Sequence, residues 1–540
     1  MMNCLRIRVL NCIEKTKPSG MNLLRAQQAA ALVKDGDTVV CAGFVGAGHA
    51  EAVTLALEHR FLREAAPRDL TLVYAAGQGD RVSRGVNHFG HAGLVKRVIG
   101  GHWVSAPRLG RLVLDNAIEA YNLPQGVITH LYRAIAGGKV GVITPIGLHT
   151  FVDPRHGGGK LTPRSQGDVV ELIKIAGQEQ LFYPSFKIDV ALIRATTADE
   201  HGNLGTEHEA FHQDLLAIAQ AARNSGGIVI AQVKRVIPVG GIDPNLVRVP
   251  GILVDHVVVT EDPADHWMTF GEEHNEAYLR GGPAPVMSTV SEAVPKAPLD
   301  VRKIIQRRAL LELCALRSPV VNLGVGMPAG IGAVAKAEGH ADFTLTVESG
   351  PIGGTPAERL SFGASAYPEA IIDHAAMFDF YDGGGLDIAF LGMAEFDLLG
   401  NVNVSRFGNV VSGVGGFINI TQSTPRVVFM GSFTAGGLTV QSGQGRLAIT
   451  QEGRVPKLVH ELQHLSFNGP YVAGLGRSVR YITERAVFEL RDGVLTLTEI
   501  APGIDLQRDV LAVAGLPLTV ANDLKLIDER VYHDAPMFKR

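Results

Sequence analysis

The chain has 540 residues, more than a single hydrophobic core usually supports, so we expect at least two domains. Its net charge of −4 and the lack of a long basic run argue against nucleic acid as a partner. A helix that spans a membrane needs about 18 consecutive apolar residues, and the sequence contains no apolar run of that length. The four cysteines are scattered and lack CxxC spacing, which argues against a disulfide framework or a zinc site and favours a reducing compartment, the cytoplasm.

The first twenty residues differ in composition from those that follow. They contain neither the long apolar segment nor the small-residue cleavage site of a secretory signal. We interpret Met1–Gly20 as an unstructured extension and Met21 as a candidate start, and an organelle-targeting peptide is also compatible with this stretch.

Short apolar strands alternate with helical stretches through the first half of the chain, which is the pattern of a parallel α/β sheet. The first strand enters a glycine-rich loop, Gly43–Gly48, that opens a helix. Such a junction of strand, glycine loop and helix can bind a phosphate or a thioester. The predicted strands are Thr38–Ala42, Leu70–Ala75, Ile188–Ala195, Gly227–Gln232 and Leu253–Val259.

Helices and irregular segments separate these strands. We predict helices at Leu24–Val33 and Val127–Ile135, loops with a short helix around a site at Gly77–His102, and an exposed, turn-rich excursion at Phe151–Gly167. Three histidines in the third of these segments lack the spacing of metal ligands and are interpreted as structural or surface residues: His88, His91 and His102.

A proline-rich segment, 281–299, is the best candidate for a linker. We therefore predict an N-terminal domain at 21–280 and a C-terminal domain at 300–540, the latter opening with a helix, Val301–Leu316, that is capped by Asp300.

An internal repeat relates the two halves. Asp189–Leu204 matches Asp387–Val402 without a gap, and Asp, Ala, Asp, Gly and Asn coincide. We predict that the two segments form the same strand and turn in two related domains, with a site at their interface. The second half also has a glycine loop, Gly324–Pro328, after a predicted strand, Val320–Leu323.

The segment 344–356 places one carboxylate, Glu348, between a strand and a loop of three glycines and two prolines. Glu348 is thus predicted at the carboxyl end of a strand, the edge at which open α/β sheets bind ligands. Taken alone, this is also the position of an ordinary solvated strand-end residue. Since only the second half contains Val-Glu-Ser-Gly, we expect one catalytic half and one supporting half.

The pattern changes after residue 441. We predict a smaller, partly antiparallel layer with a hairpin turn at Arg491-Asp-Gly493, and a late helix from Ile504. The strands predicted for this layer are Lys457–Val459, Ser478–Ile482, Ala486–Leu490 and Val494–Leu497.

Several separate motifs resemble those of the class I coenzyme A transferases of the single-chain acetate/propionate type, whose fold implies two related open parallel-sheet domains. The resemblance covers about residues 21–530. The motifs are Gly324–Pro328, Val347–Gly350, Leu386–Gly392, Gly400–Val404, Gly413–Gly416 and Tyr481–Arg485. One departure is that the first glycine loop has His49-Ala50-Glu51, where the family often has a proline before the glutamate.

The resemblance implies that CoA passes from a short-chain acyl-CoA to a free carboxylic acid through a covalent thioester on Glu348. Each step forms a tetrahedral oxyanion, which requires N–H donors. The backbone N–H of Gly416 is our candidate because a glycine lets main chain approach closely, and the resemblance places Gln125 of the other half near the same carbonyl. The residues assigned to CoA contacts are Gly324, Val325, Gly326, Met327, Pro328, Ser412, Gly413 and Gly415.

No metal or cofactor is expected, because Glu348 is itself the nucleophile and CoA is a substrate. Acetate, propionate, butyrate and acetoacetate are all compatible with the motifs, and the family implies a homo-oligomer.

Three other functions fit part of this pattern. An acyl-CoA hydrolase would use water as the acceptor. A nucleotide-binding oxidoreductase would match Gly324-x-Gly326 followed by Glu348, but the third glycine of that fingerprint is missing. A non-catalytic CoA or metabolite sensor would share the fold, and the combination of Glu348 with Gly413–Gly416 argues against it.

Overall fold

The computed structural model describes residues 21–282, 299–340 and 342–538. The extension predicted at 1–20 and most of the linker predicted at 281–299 lie outside the described residues, so the domain boundaries stay a prediction. No helix within the described ranges is both long enough and apolar enough to cross a lipid bilayer.

The first half of the chain forms an eight-stranded sheet in which every neighbouring pair is parallel. The central strand Val190–Arg194 is buried along its whole length, which explains its apolar run from Val190 to Ile193, and its buried Arg194 is paired with Glu209. In sheet order the strands are Asn22–Leu24, His256–Val259, Ile228–Val233, Val190–Arg194, Thr38–Cys41, Leu70–Tyr74, Val95–Gly100 and Glu119–Asn122.

The second half forms a ten-stranded sheet that is parallel at its centre and antiparallel on either side of it, except that the last edge strand, Thr519–Leu526, pairs in parallel with its neighbour. The antiparallel strands predicted near the C-terminus are confirmed, and they continue this sheet. In sheet order the strands are Ala370–Ile371, Pro351–Ile352, Thr344–Thr346, Val320–Leu323, Ile388–Gly392, Arg426–Met430, Ser478–Ile482, Ala486–Arg491, Val494–Ile500 and Thr519–Leu526.

Helices cover both sheets, and small sheets fill the connections. The predicted cap is confirmed, since the Asp300 side chain accepts a hydrogen bond from the N–H of Lys303. The α-helices are Ala26–Ala30, Glu51–Glu64, Pro107–Leu114, Gln125–Ala136, Leu215–Asn224, Val301–Cys314, Ile331–Ala337, His374–Asp382, Phe417–Ser423, Gly469–Gly474 and Ala512–Ala514. The larger of the small sheets comprise Gly141–Thr144, Gln178–Pro184 and Glu171–Ile175, and Arg235–Ile237, Thr197–Asp199, Leu204–Gly205 and Val247–Val249.

The two repeat segments occupy equivalent places in the two sheets, which confirms the predicted relationship. Strand Val190–Arg194 lies beside Thr38–Cys41, and strand Ile388–Gly392 lies beside Val320–Leu323. The same side-chain hydrogen bonds recur. Asp189 and Asp387 each accept from the first N–H of that neighbouring strand, while Asp199 and Asp397 each accept from two turn N–H groups and from the amide of the repeat's Asn.

The strand registers also show what stands in place of Glu348 in the first half. Val39 pairs with Val190 and Leu72, and Val321 pairs with Ile388 and Leu345, so the two sheets align residue by residue. Three residues past Leu345 is Glu348, and three past Leu72 is Ala75. The first half therefore has the strand end but lacks the carboxylate.

Two of the expectations for irregular segments are wrong in part. The segment 151–167 is turn-rich, and residues 154–157 are exposed, but its start is not, because Phe151, Val152 and Asp153 are buried and Asp153 accepts hydrogen bonds from the backbone of its own turn. The segment 77–102 contains a full strand, Val95–Gly100, and a short 3₁₀-helix. In addition, residues 457–459 form no strand.

Candidate active site

A cavity of about 770 Å³ lies where the two halves meet, at the carboxyl ends of the central strands. The first half contributes Phe44, Val45, Ala76, Gly77, His102 and Gln125. The second half contributes Glu348, the loop 412–416 and several apolar side chains. Both halves are therefore needed to enclose whatever binds beside Glu348.

Glu348 follows the strand Thr344–Thr346 and lines this cavity with only 9% of its surface exposed. Among the described residues its carboxylate has no ion-pair partner, in contrast to the buried carboxylates Glu51 and Glu209. Burial raises the pKa of the Glu348 carboxyl, and its own backbone N–H, His374 and Asn322 oppose that rise. A partly desolvated carboxylate of this kind is a better nucleophile than one in water.

The glycine loop 412–416 approaches Glu348 because it is held by the first half. Five hydrogen bonds join the loop to the first half. They run from Trp103 N–H to Ser412 O (2.7 Å), from Val104 N–H to the same oxygen (3.2 Å), from Gly415 N–H to Gly101 O (2.7 Å), from Gln125 N–H to Gly415 O (2.9 Å) and from Val414 N–H to Asn122 Oδ1 (3.0 Å). These bonds fix the loop against Gln125, which begins the helix Gln125–Ala136.

Gly416 is the point of closest approach. A methyl group at its Cα would lie 3.3 Å from Cγ of Glu348 and 3.0 Å from the ring of Phe378, both tighter than ordinary contacts. Its backbone N–H donates to no acceptor within the described part of the chain. The N–H is thus available to an oxygen atom formed beside Glu348, which is what an oxyanion donor requires.

Gln125 is buried and its amide takes part in a chain of hydrogen bonds that crosses between the halves. Nε2 of Gln125 lies 2.8 Å from Nε2 of His374, and Nδ1 of His374 lies 2.8 Å from Oδ2 of Asp214. The next residue, Gly126, donates its N–H to Oδ1 of Asn419 at 3.2 Å. The sequence held no local signal for His374 or Asp214, since they lie 160 residues apart.

The residues predicted to contact CoA divide into three groups. Five of them line the main cavity: Gly324, Val325, Ser412, Gly413 and Gly415. Gly326 lines a second cavity of about 800 Å³, which shares Val325 and Phe362 with the first. Met327 and Pro328 line neither cavity. The carbonyl of Met327 accepts from Gln306, and Pro328 is buried at the start of a short 3₁₀-helix.

The three histidines of the segment 77–102 do not all have the structural role predicted for them. His88 is buried between the carboxylates of Glu51 and Glu58, at 2.9 and 2.5 Å, and His91 bonds Glu58, so both have structural partners. His102, in contrast, lines the main cavity. No group of side chains with the makeup of a metal site occurs in the described ranges.

The raised pKa of Glu348 predicts how the activity depends on pH. Only the ionised carboxylate can attack, so kcat/KM should fall as the pH drops through the pKa of Glu348 in the free enzyme. Because burial raises that pKa, the fall should begin at a higher pH than the ordinary value of 4.5 would give. Initial rates between about pH 5 and 8 would measure it, and an acid limb centred at or below 4.5 would contradict the prediction.

The sequence of this chain is similar to those of known coenzyme A transferases. The coenzyme A transferase family model matches residues 23–260. The acetate CoA-transferase YdiF of Escherichia coli (strain K12) is 42% identical over 533 residues, covering 97% of this chain and 98% of that protein. The caffeate CoA-transferase of Acetobacterium woodii is 44% identical over 517 residues, covering 95% and 97%.

Solved structures agree with these matches. The crystal structure of the acyl-CoA transferase YdiF apoenzyme from Escherichia coli O157:H7 has a TM-score of 0.90 at 41% identity, covering 97% of this chain and 98% of that one. A structure of the same enzyme described as a thioester complex with CoA also has a TM-score of 0.90, at 40% identity, covering 97% and 99%.

Proposed function

The chain belongs to the coenzyme A transferase family, and we propose that it transfers CoA in two half-reactions through a thioester between CoA and the carboxyl group of Glu348. The observation that carries this proposal is the buried Glu348 carboxylate, which has no ion-pair partner in the described residues and lines a cavity together with Gly416 and Gln125.

In the first half-reaction, a carboxylate oxygen of Glu348 attacks the carbonyl carbon of the acyl-CoA thioester. The C–S bond breaks, giving an acyl-glutamyl anhydride and a CoA thiolate. The thiolate then attacks the glutamyl carbonyl carbon, and the first acid leaves as its carboxylate. A second carboxylic acid reverses these steps, so that no water is consumed and Glu348 is regenerated.

Each of these additions forms an oxyanion on a carbonyl oxygen. The N–H of Gly416 and one N–H of the Gln125 amide are the donors we assign to it, because both groups line the cavity beside Glu348. Such preorganised donors act where charge develops and need no rearrangement during the reaction. Burial of the site keeps water from the anhydride and the thioester.

For the acceptor we propose a short-chain carboxylic acid of the acetate, propionate or acetoacetate type. Phe44 and Val45 of the first half and Phe362 of the second give this part of the cavity an apolar lining, and the pantetheine arm of CoA must share the same volume. Two relatives are named for acetate and for caffeate. A panel of acids that includes caffeate, with acetyl-CoA as donor, would test the proposal, and a preference for caffeate over every short acid would reject it.

The covalent intermediate gives a direct test of the mechanism. With an acyl-CoA and no acceptor acid, the enzyme should accumulate CoA on Glu348. Intact-mass spectrometry should show a gain equal to CoA less water, and peptide mapping should locate it on Glu348. Addition of acetate should discharge the adduct and form acetyl-CoA. An enzyme that turns over without ever carrying this adduct would contradict the mechanism. If water discharges the adduct as fast as acetate does, the enzyme is a hydrolase.

A further inference from the structure

Asp214, His374 and Gln125 form a buried chain of hydrogen bonds that ends at the cavity. His374 begins the helix His374–Asp382 of the second half, while Asp214 precedes the helix Leu215–Asn224 and Gln125 begins its own helix in the first half. All three side chains are buried, with 2% of His374, 7% of Asp214 and 3% of Gln125 exposed. Only Gln125 lines the cavity, so the other two cannot act on substrate directly.

The chemistry of this chain fixes the direction of every bond in it. A carboxylate can only accept, so the imidazole proton lies on Nδ1 of His374 and is donated to Asp214. The structure places the amide nitrogen of Gln125, not its oxygen, against Nε2. An amide N–H can only donate, so Nε2 is the acceptor of this bond and the imidazole carries its one proton on Nδ1. His374 holds one N–H of Gln125, and we assign the second N–H to the cavity that Gln125 lines.

We propose that Asp214 and His374 are positioning residues that hold the amide of Gln125 with a nitrogen donor, and not its oxygen, directed at the reacting carbonyl. This inference rests on the proposed function, in which Gln125 stabilises the oxyanion. Without the chain, the two ends of the amide are close to equivalent in shape, and the flipped amide would direct a lone pair at a developing negative charge. His374 also contacts Phe44 and Phe378 edge-on or tilted, which restrains the ring.

Two substitutions at His374 separate positioning from packing. The amide of a glutamine can reach the place of Nε2, so His374→Gln keeps an acceptor for Gln125 but leaves Asp214 without its donor. The amide of an asparagine can reach the place of Nδ1, so His374→Asn keeps a donor for Asp214 but leaves Gln125 without its acceptor. The two variants thus cut opposite ends of the chain.

We expect activity and stability to rank these variants in opposite orders. His374→Asn should lower kcat about 10- to 100-fold, while His374→Gln should stay within a few-fold of the parent, and the KM for acyl-CoA should change by less than about threefold in both. Tm should fall further in His374→Gln, because a buried carboxylate without a donor is costly. A drop in kcat that follows Tm in both variants would overturn the inference.

A double-mutant cycle with Gln125→Ala tests whether His374 affects kcat through Gln125. If His374 acts through Gln125, His374→Asn should cost less than about threefold in kcat once the Gln125 side chain is absent. An undiminished loss in the Gln125→Ala background would overturn the inference, and this holds even if His374→Gln does not fold. If Gln125→Ala alone has no effect, Gln125 has no role and the inference falls with it, while the adduct on Glu348 still decides the mechanism separately.

The protein offers a matched control in His266, another buried histidine beside a carboxylate. Its Nε2 lies 3.2 Å from Glu209, its Nδ1 lies 3.3 Å from the amide of Gln232, and it does not line the cavity. Because the carboxylate lies at Nε2 in His266, glutamine is the substitution there that keeps the carboxylate bond and removes the amide bond, as His374→Asn does at its own site. His266→Gln should lower Tm to a similar extent yet leave kcat within about twofold. A kcat loss in His266→Gln as large as in His374→Asn would show that any buried histidine of this kind supports activity through the fold, against the positioning role.

Discussion

Replacing Glu348 by glutamine should reduce CoA transfer to near background, a loss on the order of 10⁴-fold or more, as is found when the nucleophile of a covalent mechanism is removed. The amide keeps the shape of the carboxylate but has no charge with which to attack the thioester. The gain of mass on incubation with acyl-CoA should disappear with the activity. Steady-state rates and intact-mass spectra of the same preparations measure both.

The same substitution should not weaken the fold. Burial raises the pKa of Glu348 above its ordinary value, so the folded protein holds that proton more tightly than the unfolded chain does. Above the raised pKa the folded state must therefore keep a charge at a cost in free energy, which Glu348→Gln removes. We expect Tm near neutral pH to stay level or to rise, so a loss of activity cannot be attributed to unfolding.

Glu395 provides the matched control for this experiment. Its carboxylate lines the same cavity and accepts a hydrogen bond of 2.7 Å from the amide of Asn403. Glu395→Gln should keep activity within about tenfold of the parent and should still form the adduct. A Glu348→Gln variant that transfers CoA at a rate comparable to Glu395→Gln would contradict the nucleophilic role of Glu348.

The position of Glu348 could be predicted from sequence because its signal is local. A strand of alternating Thr, Leu and Val followed by a carboxylate and a glycine-rich loop specifies a strand end, wherever the rest of the chain lies. The repeat was equally accessible, since Asp189 and Asp387 each cap a neighbouring strand through a bond that the same sequence pattern produces twice.

The surroundings of Glu348 could not be predicted in the same way. Asp214, His374 and Gln125 come together only when helix starts from the two halves dock, and each start is unremarkable in its own sequence context. The strand Val95–Gly100 was hidden because Lys96 and Arg97 interrupt its apolar pattern. Arg97 is accommodated by a 2.7 Å bond to Glu119 on the adjacent strand, a pairing that sequence alone does not show.

Gly416→Ala should lower kcat about 10²- to 10³-fold, the usual cost of losing one oxyanion donor. Gly416 has φ −81 and ψ −2, which alanine adopts without strain, so the effect must come from the added methyl group. That methyl would lie 3.3 Å from Cγ of Glu348 and 3.0 Å from Phe378. Either the carboxylate or the loop must then move, and the N–H of residue 416 no longer meets the oxygen that forms beside Glu348.

The rate of adduct formation should reveal this loss more clearly than the KM for acyl-CoA, because the N–H of Gly416 acts on the transition state and not on the resting thioester. Gly474→Ala is the control. Gly474 lies in an exposed part of the helix Gly469–Gly474, where an added Cβ has no atom within 4 Å, and this variant should keep the parent rate. If Gly416→Ala forms the adduct as fast as Gly474→Ala, the oxyanion is stabilised elsewhere, and Gln125 becomes the sole donor to test.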